Sequence, residues 1–408
     1  MSADRFHRPR QMPSPGGTSG RILTIAAAIM RGCDRGEQTL DDALDRAPEE
    51  LRRTLNHLLM NLFRYRGVLQ EHLRRFISKP PSPEVNSLLL VCYTQCRFQS
   101  AVNAASAVNV AVTEAKKFHA GNFVNAVMRK VLAAELPLSS APETVLPPAV
   151  FRQWRKHFPA ETVQHLTGLF LQEPEFSFRL LPGRELPPEA AACTTFAPFR
   201  FGTAEPAAIL NSDVFAQGGY YIQDPATAFA PSLVAPYAAG LRRVLDICSA
   251  PGGKTLMLRE LLKDEAELTA FDISAARQER TRENFARRNL SCRIIAGDPE
   301  QLRGKFDLVM ADLPCSNSGV FRRRPDALWR FSTAALRDIG KVQQEILARA
   351  MDLTAPGGLL LISTCSIDPV ENERLTAAAA AAGFKVLTAK TIMPAVEHDG
   401  AFAALCIR

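Results

Sequence analysis

The sequence predicts a multidomain protein in which an all-α N-terminal domain and a small α/β middle module precede a C-terminal α/β domain with a doubly wound sheet. The chain has 408 residues, a length that accommodates two or three domains at roughly 150 residues each. Apolar residues recur with helical spacing through the first third of the chain. From about residue 240, short apolar runs alternate with helical patterns, which is typical of a parallel sheet.

The composition is that of a globular protein. Hydrophobic residues make up 47% and charged residues 22% of the chain, which excludes a disordered, collagenous or coiled-coil protein. The 49 Lys and Arg residues against 42 Asp and Glu residues give a net charge of +7. Such a charge favours an anionic partner, for example nucleic acid, over a neutral small substrate.

The nine cysteines are an odd number in a long chain, so we expect no disulfide framework. Their spacings include no CxxC pair and no Cys/His cluster typical of a zinc site, so we expect no metal. The apolar run that begins at Ile22 is too short to cross a bilayer and lacks a signal-peptide layout. We therefore expect a monomeric cytoplasmic protein with reduced thiols and no membrane contact.

The first third of the chain is predicted to be a short mobile tail followed by helices. Residues 1–20 are rich in Pro, Gly, Ser and Arg, and residues 21–143 form the helical domain. Between Leu51 and Phe76 apolar residues follow a helical period, and the same stretch holds six arginines and one acid. The arginines indicate either a solvated helix face or a face that contacts phosphates. The apolar set is Leu55, Leu58, Leu59, Leu62 and Phe63, and the arginines are Arg52, Arg53, Arg64, Arg66, Arg74 and Arg75.

Residues 144–221 are predicted to form a small α/β module or an elaborate linker. Pro-rich stretches at 137–148 and 182–188 bracket or interrupt this region, which also contains an aromatic and basic segment around Trp154. The remaining residues, 222–408, are assigned to the C-terminal domain.

Five apolar runs of the C-terminal domain are predicted to be strands: RVLDIC, ELTAFDI, CRIIAGD, FDLVMADLP and GGLLLISTC. Thr255–Leu262 and Ala275–Asn289 are predicted helices between them. Ligands of doubly wound sheets bind beyond the carboxyl ends of the strands. Polar residues at those ends are Asp246, Asp272, Asp298, Asp312 and Cys365.

The segment VLDICSAPGGKT is predicted to be a strand, a glycine-containing turn and the start of a helix. It is one glycine short of a phosphate loop, because Cys248 stands where that motif needs its first glycine. An adenosyl cofactor is the better interpretation, since an acid is then expected about 20 residues onward to hold the ribose hydroxyls. Asp272 lies twenty residues after Gly252, and Asp298 ends the third run, where it can meet an adenine amino group.

Cys315 and Cys365 each follow a predicted strand, so both are expected beside the cofactor. A thiolate that adds to carbon-6 of a pyrimidine makes carbon-5 nucleophilic toward a methyl donor; a base then removes the carbon-5 proton and elimination frees the thiol. An acid is needed at the ring nitrogen, and Asp312 is placed for that role. The residues alone do not decide which cysteine attacks.

These motifs resemble those of a known family. DICSAPGGKT, DLPCS and STCS followed by ENE are similar, in order and spacing, to the Sun (NOL/NOP/Sun) family of RNA cytosine-carbon-5 methyltransferases, and GGYYIQDPA and DGAFAAL agree with it. HAGNFVNAVMRKVL resembles the end of a NusB-like helical RNA-binding domain. The combination resembles the bacterial RsmB-type subfamily, whose members methylate a cytosine of 16S ribosomal RNA.

The resemblance implies a NusB-like N-terminal domain and a Rossmann-like class I methyltransferase domain that uses S-adenosylmethionine, with 16S rRNA as partner. It implies that Cys365 is the nucleophile and that Cys315 assists product release. Alternatives are the same chemistry on a tRNA or another rRNA cytosine, and a non-catalytic RNA-binding or assembly factor. The implied cofactor residues are Cys248, Ser249, Ala250, Pro251, Gly252, Gly253, Lys254, Asp272, Asp298 and Asp312.

The chain departs from the family at a few positions. Asn317-Ser318 replaces the usual Gly-Thr, Ser249 stands where alanine is common, and EPEFSFRLL replaces a Thr-rich run in the middle module. After the Cys315 motif, the segment 321–330 carries four arginines that are predicted to grip phosphates while the target base leaves its stack. They are Arg322, Arg323, Arg324 and Arg330, and Trp329 among them is predicted either to stack on a base or to pack in the core.

Overall fold

The computed structural model describes residues 18–194 and 196–408. It divides into two compact units, of which the first ends at Pro147 and the second begins at Pro148. Most of the predicted N-terminal tail lies outside the described residues. Its last three residues differ from the prediction, because the first helix begins at Thr18.

The first unit is helical, as predicted. Each of the five apolar residues predicted for the long helix α3 is fully buried, so one face of this helix forms the core of the unit. Side-chain caps begin several helices, for example Thr39 at α2, Ser82 at α4 and Asn103 at α5. The helices are α1 Thr18–Asp34, α2 Leu40–Asp45, α3 Glu49–Arg74, α4 Pro83–Phe98, α5 Ala104–Ala115, α6 Gly121–Ala133 and α7 Pro142–Val145.

The six arginines of the α3 region do not form one face, so neither interpretation of them holds for the whole set. Arg64 and Arg66 are buried, and Arg66 makes a two-pronged ion pair with Asp34 at 2.5 and 2.8 Å. The other four arginines are exposed near the two ends of the helix. A helix of 26 residues turns its side chains through every direction, so a count of charge along its sequence cannot define a surface.

The second unit begins with two helices and a small antiparallel sheet in the order β2-β3-β1-β4. Strand β1 is buried along its whole length and pairs with both β3 and β4. The elements are α8 Pro148–His157, α9 Ala160–Leu171, β1 Ser177–Leu180, β2 Ala191–Ala192, β3 Arg200–Thr203, α10 Pro206–Leu210, α11 Asp213–Ala216 and β4 Tyr220–Ile222.

The C-terminal part of the unit is a seven-stranded sheet, in the order β10-β11-β9-β8-β5-β6-β7, with helices between its strands. All five predicted apolar runs are strands. The elements are α12 Phe229–Ser232, β5 Arg243–Ile247, α13 Gly253–Leu261, β6 Glu267–Asp272, α14 Ala275–Ala286, β7 Arg293–Ala296, β8 Phe306–Asp312, α15 Pro325–Arg330, α16 Thr333–Leu353, β9 Thr354–Thr364, α17 Pro369–Ala381, β10 Lys385–Ile392 and β11 Ala401–Ile407.

The sheet is mixed, which corrects the prediction of a parallel one. Strands β5 to β9 pair in parallel, but β11 runs antiparallel to both β9 and β10. The chain passes from β10 to β11 without a helix, and such a short connection can join only antiparallel neighbours. The carboxyl ends of β5, β6, β7, β8 and β9 therefore meet at one edge, where the predicted polar residues lie.

A buried ion-pair cluster joins the small sheet to the helix α13. Arg179 of β1 is fully buried and pairs with Glu260 of α13, and its Nε donates to Gln223 Oε1 at 2.9 Å. Arg288 approaches the other oxygen of Glu260 at 2.7 Å. Because α13 follows the glycine turn, this cluster fixes the small sheet beside that turn.

We expect Glu260→Ala to lower the free energy of unfolding of the second unit by about 3 kcal/mol, because it leaves the buried Arg179 charge without its partner. Guanidinium denaturation of the full chain measures the change. Glu279→Ala is the matched control, since its ion pair with Arg282 is exposed and is expected to contribute no more than about 1 kcal/mol. Equal losses in the two variants would contradict the expectation.

Candidate active site

The glycine turn connects β5 to α13 in a conformation that needs glycine. Cys248 has φ +73° and Gly252 has φ +95°, both in the left-handed region. A Cβ at Gly252 would lie 2.8 Å from the Thr281 methyl carbon, so a larger residue is strained both sterically and by its backbone. Ser249 N donates to Phe271 O at 2.9 Å, which holds the turn against β6. The turn thus presents the first amides of a nine-residue helix at the edge of the sheet.

Asp272 ends β6 directly beneath this turn, as predicted from the spacing. Its carboxylate accepts hydrogen bonds from Ala250 N at 3.3 Å and Ser274 N at 2.9 Å, and it is 2% exposed. Arg277 lies over it, 3.7 Å from the carboxylate, with a side chain that is 60% exposed. Arg277 also donates to Ala250 O at 2.7 Å, so it connects Asp272 to the glycine turn.

The surroundings of Asp272 fit the nucleoside part of S-adenosylmethionine. The next residue, Ile273, is 74% exposed, which supplies an apolar surface for a ring at the mouth of the turn. Asp298 follows β7, where it is exposed and caps a short 3-10 helix through Glu300 N. Carboxylates at two neighbouring strand ends beside an exposed aliphatic side chain suit hydroxyl and amino donors around a planar base.

Lys254, the second residue of α13, connects the glycine turn to the cysteine-bearing strands. Its Nζ donates to Asp312 Oδ2 at 2.7 Å, and Ser363 Oγ donates to Asp312 Oδ1 at 2.6 Å. Burial alone would lower the pKa of Lys254, but the attraction and hydrogen bond of Asp312 outweigh burial and raise it. Lys254 is therefore held as a cation at this edge.

The two predicted cysteines lie together. Cys315 Sγ and Cys365 Sγ are 3.1 Å apart, and both residues are half-buried. The hydrogen bond to Cys365, and then burial, raise the pKa of the Cys315 thiol well above its usual range. Cys315 therefore keeps its proton in the folded protein.

Asn317, one of the departures from the family pattern, contacts both cysteine segments. The Cys365 thiol donates to Asn317 Oδ1 at 3.1 Å, and Asn317 Nδ2 donates to Cys315 O at 3.1 Å. Its φ of +61° is left-handed, a conformation that asparagine tolerates better than most residues. Ser318, the other departure, shares a hydrogen bond of 2.9 Å with Ser366 Oγ, and its hydroxyl oxygen accepts from Ile367 N.

Glu371 is a buried acid that joins the two cysteine loops, and sequence reasoning assigned it no role. Its oxygens accept hydrogen bonds from Ser316 N at 3.0 Å, from the hydroxyls of Ser316 and Ser366, and from Gln343 Nε2. Burial raises the pKa of Glu371. The only signal in the sequence was the ENE segment, noted as part of the family pattern.

Sequence reasoning also missed a second acidic cluster beside Cys365. Arg323 pairs with Asp224 at 2.8 Å and with Asp399 at 2.9 Å. Both acids lie in segments quoted only as family features, GGYYIQDPA and DGAFAAL. A cavity of about 40 Å³ is lined by Asp224, Asp399, Lys254 and Cys365, among other residues.

The predicted phosphate grip of the segment 321–330 is largely wrong. Arg322 is buried and donates to Val396 O at 3.0 Å. Arg323 is committed to the two acids above, and Arg330 pairs with Asp326 at 3.1 Å. Arg324 alone of the four is exposed. Trp329 is half-buried, so its exposure does not separate the two predicted roles.

A comparison with known proteins identifies the family. The ribosomal RNA small subunit methyltransferase B of Pseudomonas syringae pv. tomato (strain DC3000) is 30% identical over 375 residues, which are 85% of this chain and 82% of that protein. The chain belongs to the methyltransferase B family. Residues 236–398 match the family described as 16S rRNA methyltransferase RsmB/F, and residues 22–133 match the NusB family.

Other members of the methyltransferase B family align over a shorter region. The protein of that name from Shewanella oneidensis is 37% identical over 174 residues, which are 41% of this chain and 40% of that relative's length. Among solved structures, PH0851 is similar with a TM-score of 0.75 at 20% identity, over 98% of this chain and 100% of that chain, which shows a shared fold.

The matched region 236–398 contains the glycine turn, Lys254 and both cysteines, whereas Asp399 lies one residue beyond it. Within residues 18–194 and 196–408, no three or more His, Cys, Asp or Glu side chains are grouped as a metal site. None of the described helices is both long and apolar enough to cross a membrane.

Asp246, at the end of β5, gives this edge a pH dependence. It is fully buried and accepts from Thr255 Oγ1 at 2.6 Å, and burial raises its pKa to about 8. Between about pH 4 and this raised pKa, Asp246 therefore keeps a proton in the folded protein that it releases in the unfolded chain. As pH rises from the pKa of Asp246 in the unfolded chain toward its pKa in the folded protein, ionisation of Asp246 increasingly lowers the free energy of unfolding. Above the pKa in the folded protein this loss is constant.

We expect the stability of Asp246→Asn, relative to the unsubstituted protein, to rise between about pH 5 and pH 8 and then to level off, because the amide removes this titration. Guanidinium denaturation at four pH values measures the difference. A flat difference for Asp246→Asn would show that its burial does not govern its titration.

Proposed function

We propose that this protein transfers a methyl group from S-adenosylmethionine to carbon-5 of a specific cytosine in 16S ribosomal RNA, through a covalent bond between Cys365 and carbon-6. One observation carries the proposal: two thiols lie 3.1 Å apart at the edge where Lys254 and Asp312 join them to the glycine turn. Methyl transfer to oxygen or nitrogen needs no such pair.

The proposed cofactor site comprises the segment from Cys248 to Lys254 together with Asp272, Asp298 and Asp312. The backbone of the turn would face the amino-acid portion, and the acids of β6 and β7 would face the ribose and adenine. S-adenosylmethionine supplies an electrophilic methyl group when it is bound there. Burial, and then the nearby acids, raise the pKa of Cys248 to about 12, so this third thiol stays neutral and does not compete as a nucleophile.

The residues of this chain divide the proposed reaction as follows. The Cys365 thiol would lose its proton to solvent as Sγ bonds to carbon-6. Asp312, resupplied with a proton by the Lys254 ammonium that is hydrogen-bonded to it, would protonate the ring nitrogen, where negative charge develops. Carbon-5, made electron-rich, would take the methyl group as the cofactor's bond between sulfur and methyl breaks, which would leave S-adenosylhomocysteine. A base would then remove the carbon-5 proton, Cys365 would leave carbon-6 as a thiolate while the ring nitrogen returns its proton to Asp312, and Cys315 would assist this release.

The structure gives a reason to assign the two cysteines in this order. Cys315 retains its proton because its thiol faces Cys365, whereas Cys365 lines the cavity with Lys254. The lysine cation at the same cavity can stabilise the negative charge of an attacking sulfur. The names of the relatives support small-subunit RNA as substrate, and a NusB-like unit supports an RNA partner. We extend the proposal to a monomer that acts in the cytoplasm.

We expect Cys365→Ala to abolish methyl transfer, because no other residue then forms the bond to carbon-6, while binding of S-adenosylmethionine changes less than about threefold. Incorporation of tritiated methyl groups into unmodified small-subunit RNA measures transfer, and calorimetry measures binding. Cys292→Ala, at a half-buried cysteine that precedes β7, is the control and should retain activity. Undiminished transfer by Cys365→Ala would refute the assignment of the nucleophile.

We expect Cys315→Ala to accumulate a covalent protein–RNA adduct, since the bond to carbon-6 still forms but release is impaired. A slowly migrating band on a denaturing gel, with RNA and cofactor present, detects it. The double variant Cys315→Ala/Cys365→Ala should give no band. The release role is wrong if the single variant gives none either while the enzyme remains folded.

A further inference from the structure

Asp399 is a buried acid whose hydrogen bonds are incomplete. It lies between β10 and β11 and is 3% exposed. Its Oδ2 pairs with Arg323 at 2.9 Å, whereas its Oδ1 has no hydrogen-bond partner in the part of the chain that the structure describes. Buried carboxylate oxygens are rarely left in this way, so the open acceptor calls for a partner.

The neighbouring acid does not share this feature. Asp224 Oδ1 accepts from Ala226 N at 2.8 Å and from Asp399 N at 3.1 Å, and Asp224 Oδ2 accepts from Arg323. All of its acceptor positions are therefore engaged within the protein. The charges of Arg323 and Arg322 both act on Asp399, and the open acceptor of the cluster belongs to Asp399.

The open acceptor belongs to a residue that lines the same cavity as the proposed nucleophile. Asp399, Cys365 and Lys254 all line this cavity of about 40 Å³. Such a volume holds only a few water-sized groups, so it admits a substituent of a base rather than a whole ring. The lining combines a thiol, a cation and an open carboxylate oxygen, so a group that donates hydrogen bonds fits best near Asp399.

We propose that Asp399 is a specificity-determining residue, which accepts a hydrogen bond from the exocyclic amino group of the target cytosine while Cys365 reaches carbon-6 of the same ring. The inference rests on the proposed function and deepens it. The amino group lies on carbon-4, which is bonded to carbon-5 and is two ring bonds from carbon-6. A ring at the mouth of the cavity, with carbon-6 at Cys365, can therefore place its amino group inside the cavity. Uracil presents a carbonyl oxygen at that position, and two acceptors would then face each other without a proton between them.

Arg323 has a supporting role in this arrangement. Burial, and next the charge of Asp224, raise the pKa of Asp399 to about 7, and Arg323 opposes both effects. The carboxylate, which is an acceptor only, therefore predominates above about pH 7, whereas the protonated acid, which could donate to a carbonyl and accept uracil, predominates below it.

The test compares cytosine with uracil as the target base. Bisulfite sequencing of small-subunit RNA treated with the unsubstituted enzyme first locates the target, and 16S transcripts with C or U at that position are then prepared. Initial rates of tritiated methyl transfer by the full chain give the cytosine-to-uracil ratio. We expect Asp399→Asn to reduce this ratio at least about thirtyfold, since an amide can donate to the uracil carbonyl.

Asp224→Asn is the matched control, because it removes one negative charge from the same cluster without touching the open acceptor. Its ratio should stay within about threefold of the unsubstituted enzyme. An unchanged ratio for Asp399→Asn, or an equal loss for Asp224→Asn, would overturn the proposal. If Asp399→Asn does not fold, Asp399→Glu keeps the charge but moves the carboxylate, and it must slow transfer to cytosine at unchanged thermal stability. Failure of the unsubstituted enzyme to methylate cytosine would instead refute the proposed function.

Discussion

The contact between Lys254 and Asp312 is the constraint on which the site depends. Lys254 is the second residue of α13, which follows the glycine turn, and Asp312 ends β8. Their 2.7 Å ion pair is partly exposed, with 20% and 29% of the two side chains accessible, so its value lies in geometry more than in stability. Ser363, two residues before Cys365, binds the other oxygen of Asp312. The ends of β8 and β9 and the start of α13 are thus fixed relative to one another by one carboxylate.

The acids at this edge differ in their hydrogen-bond partners, and these partners distinguish an acid with a structural role from acids that contact a cation. Glu371 is held by hydroxyl, amide and backbone donors, without a cation among its hydrogen-bond partners. A fully satisfied carboxylate of this kind ties two loops together rigidly. Asp312 pairs with Lys254, and Asp399 pairs with Arg323 while its Oδ1 accepts no hydrogen bond from the described residues. Glu371, which accepts hydrogen bonds from several neutral donors, is therefore the acid with a structural role.

The local sequence was sufficient to predict the elements that depend on residues close together in the chain. Apolar runs predicted the strands β5 to β9, and the glycine turn with Asp272 was found from spacing, because each follows from neighbouring residues. Glu371 was missed because its partner Ser316 lies 55 residues away. The predicted phosphate contact of Arg323 is wrong for the same reason, because its partner Asp224 is 99 residues distant. The local excess of arginine indicated a free positive charge, whereas the fold pairs that charge with an acid.

Asn317 shows how a departure from a family pattern can be absorbed by the fold. The position has a left-handed backbone, which glycine adopts without cost and asparagine adopts with little. The side chain that asparagine adds does not project into solvent, because its amide bridges the Cys365 thiol and the Cys315 carbonyl. Gly319 then brings the chain so close to Cys365 O that an added Cβ would lie 2.7 Å from it. The loop therefore approaches Cys365 from two sides, at Asn317 through a side chain and at Gly319 because no side chain is present.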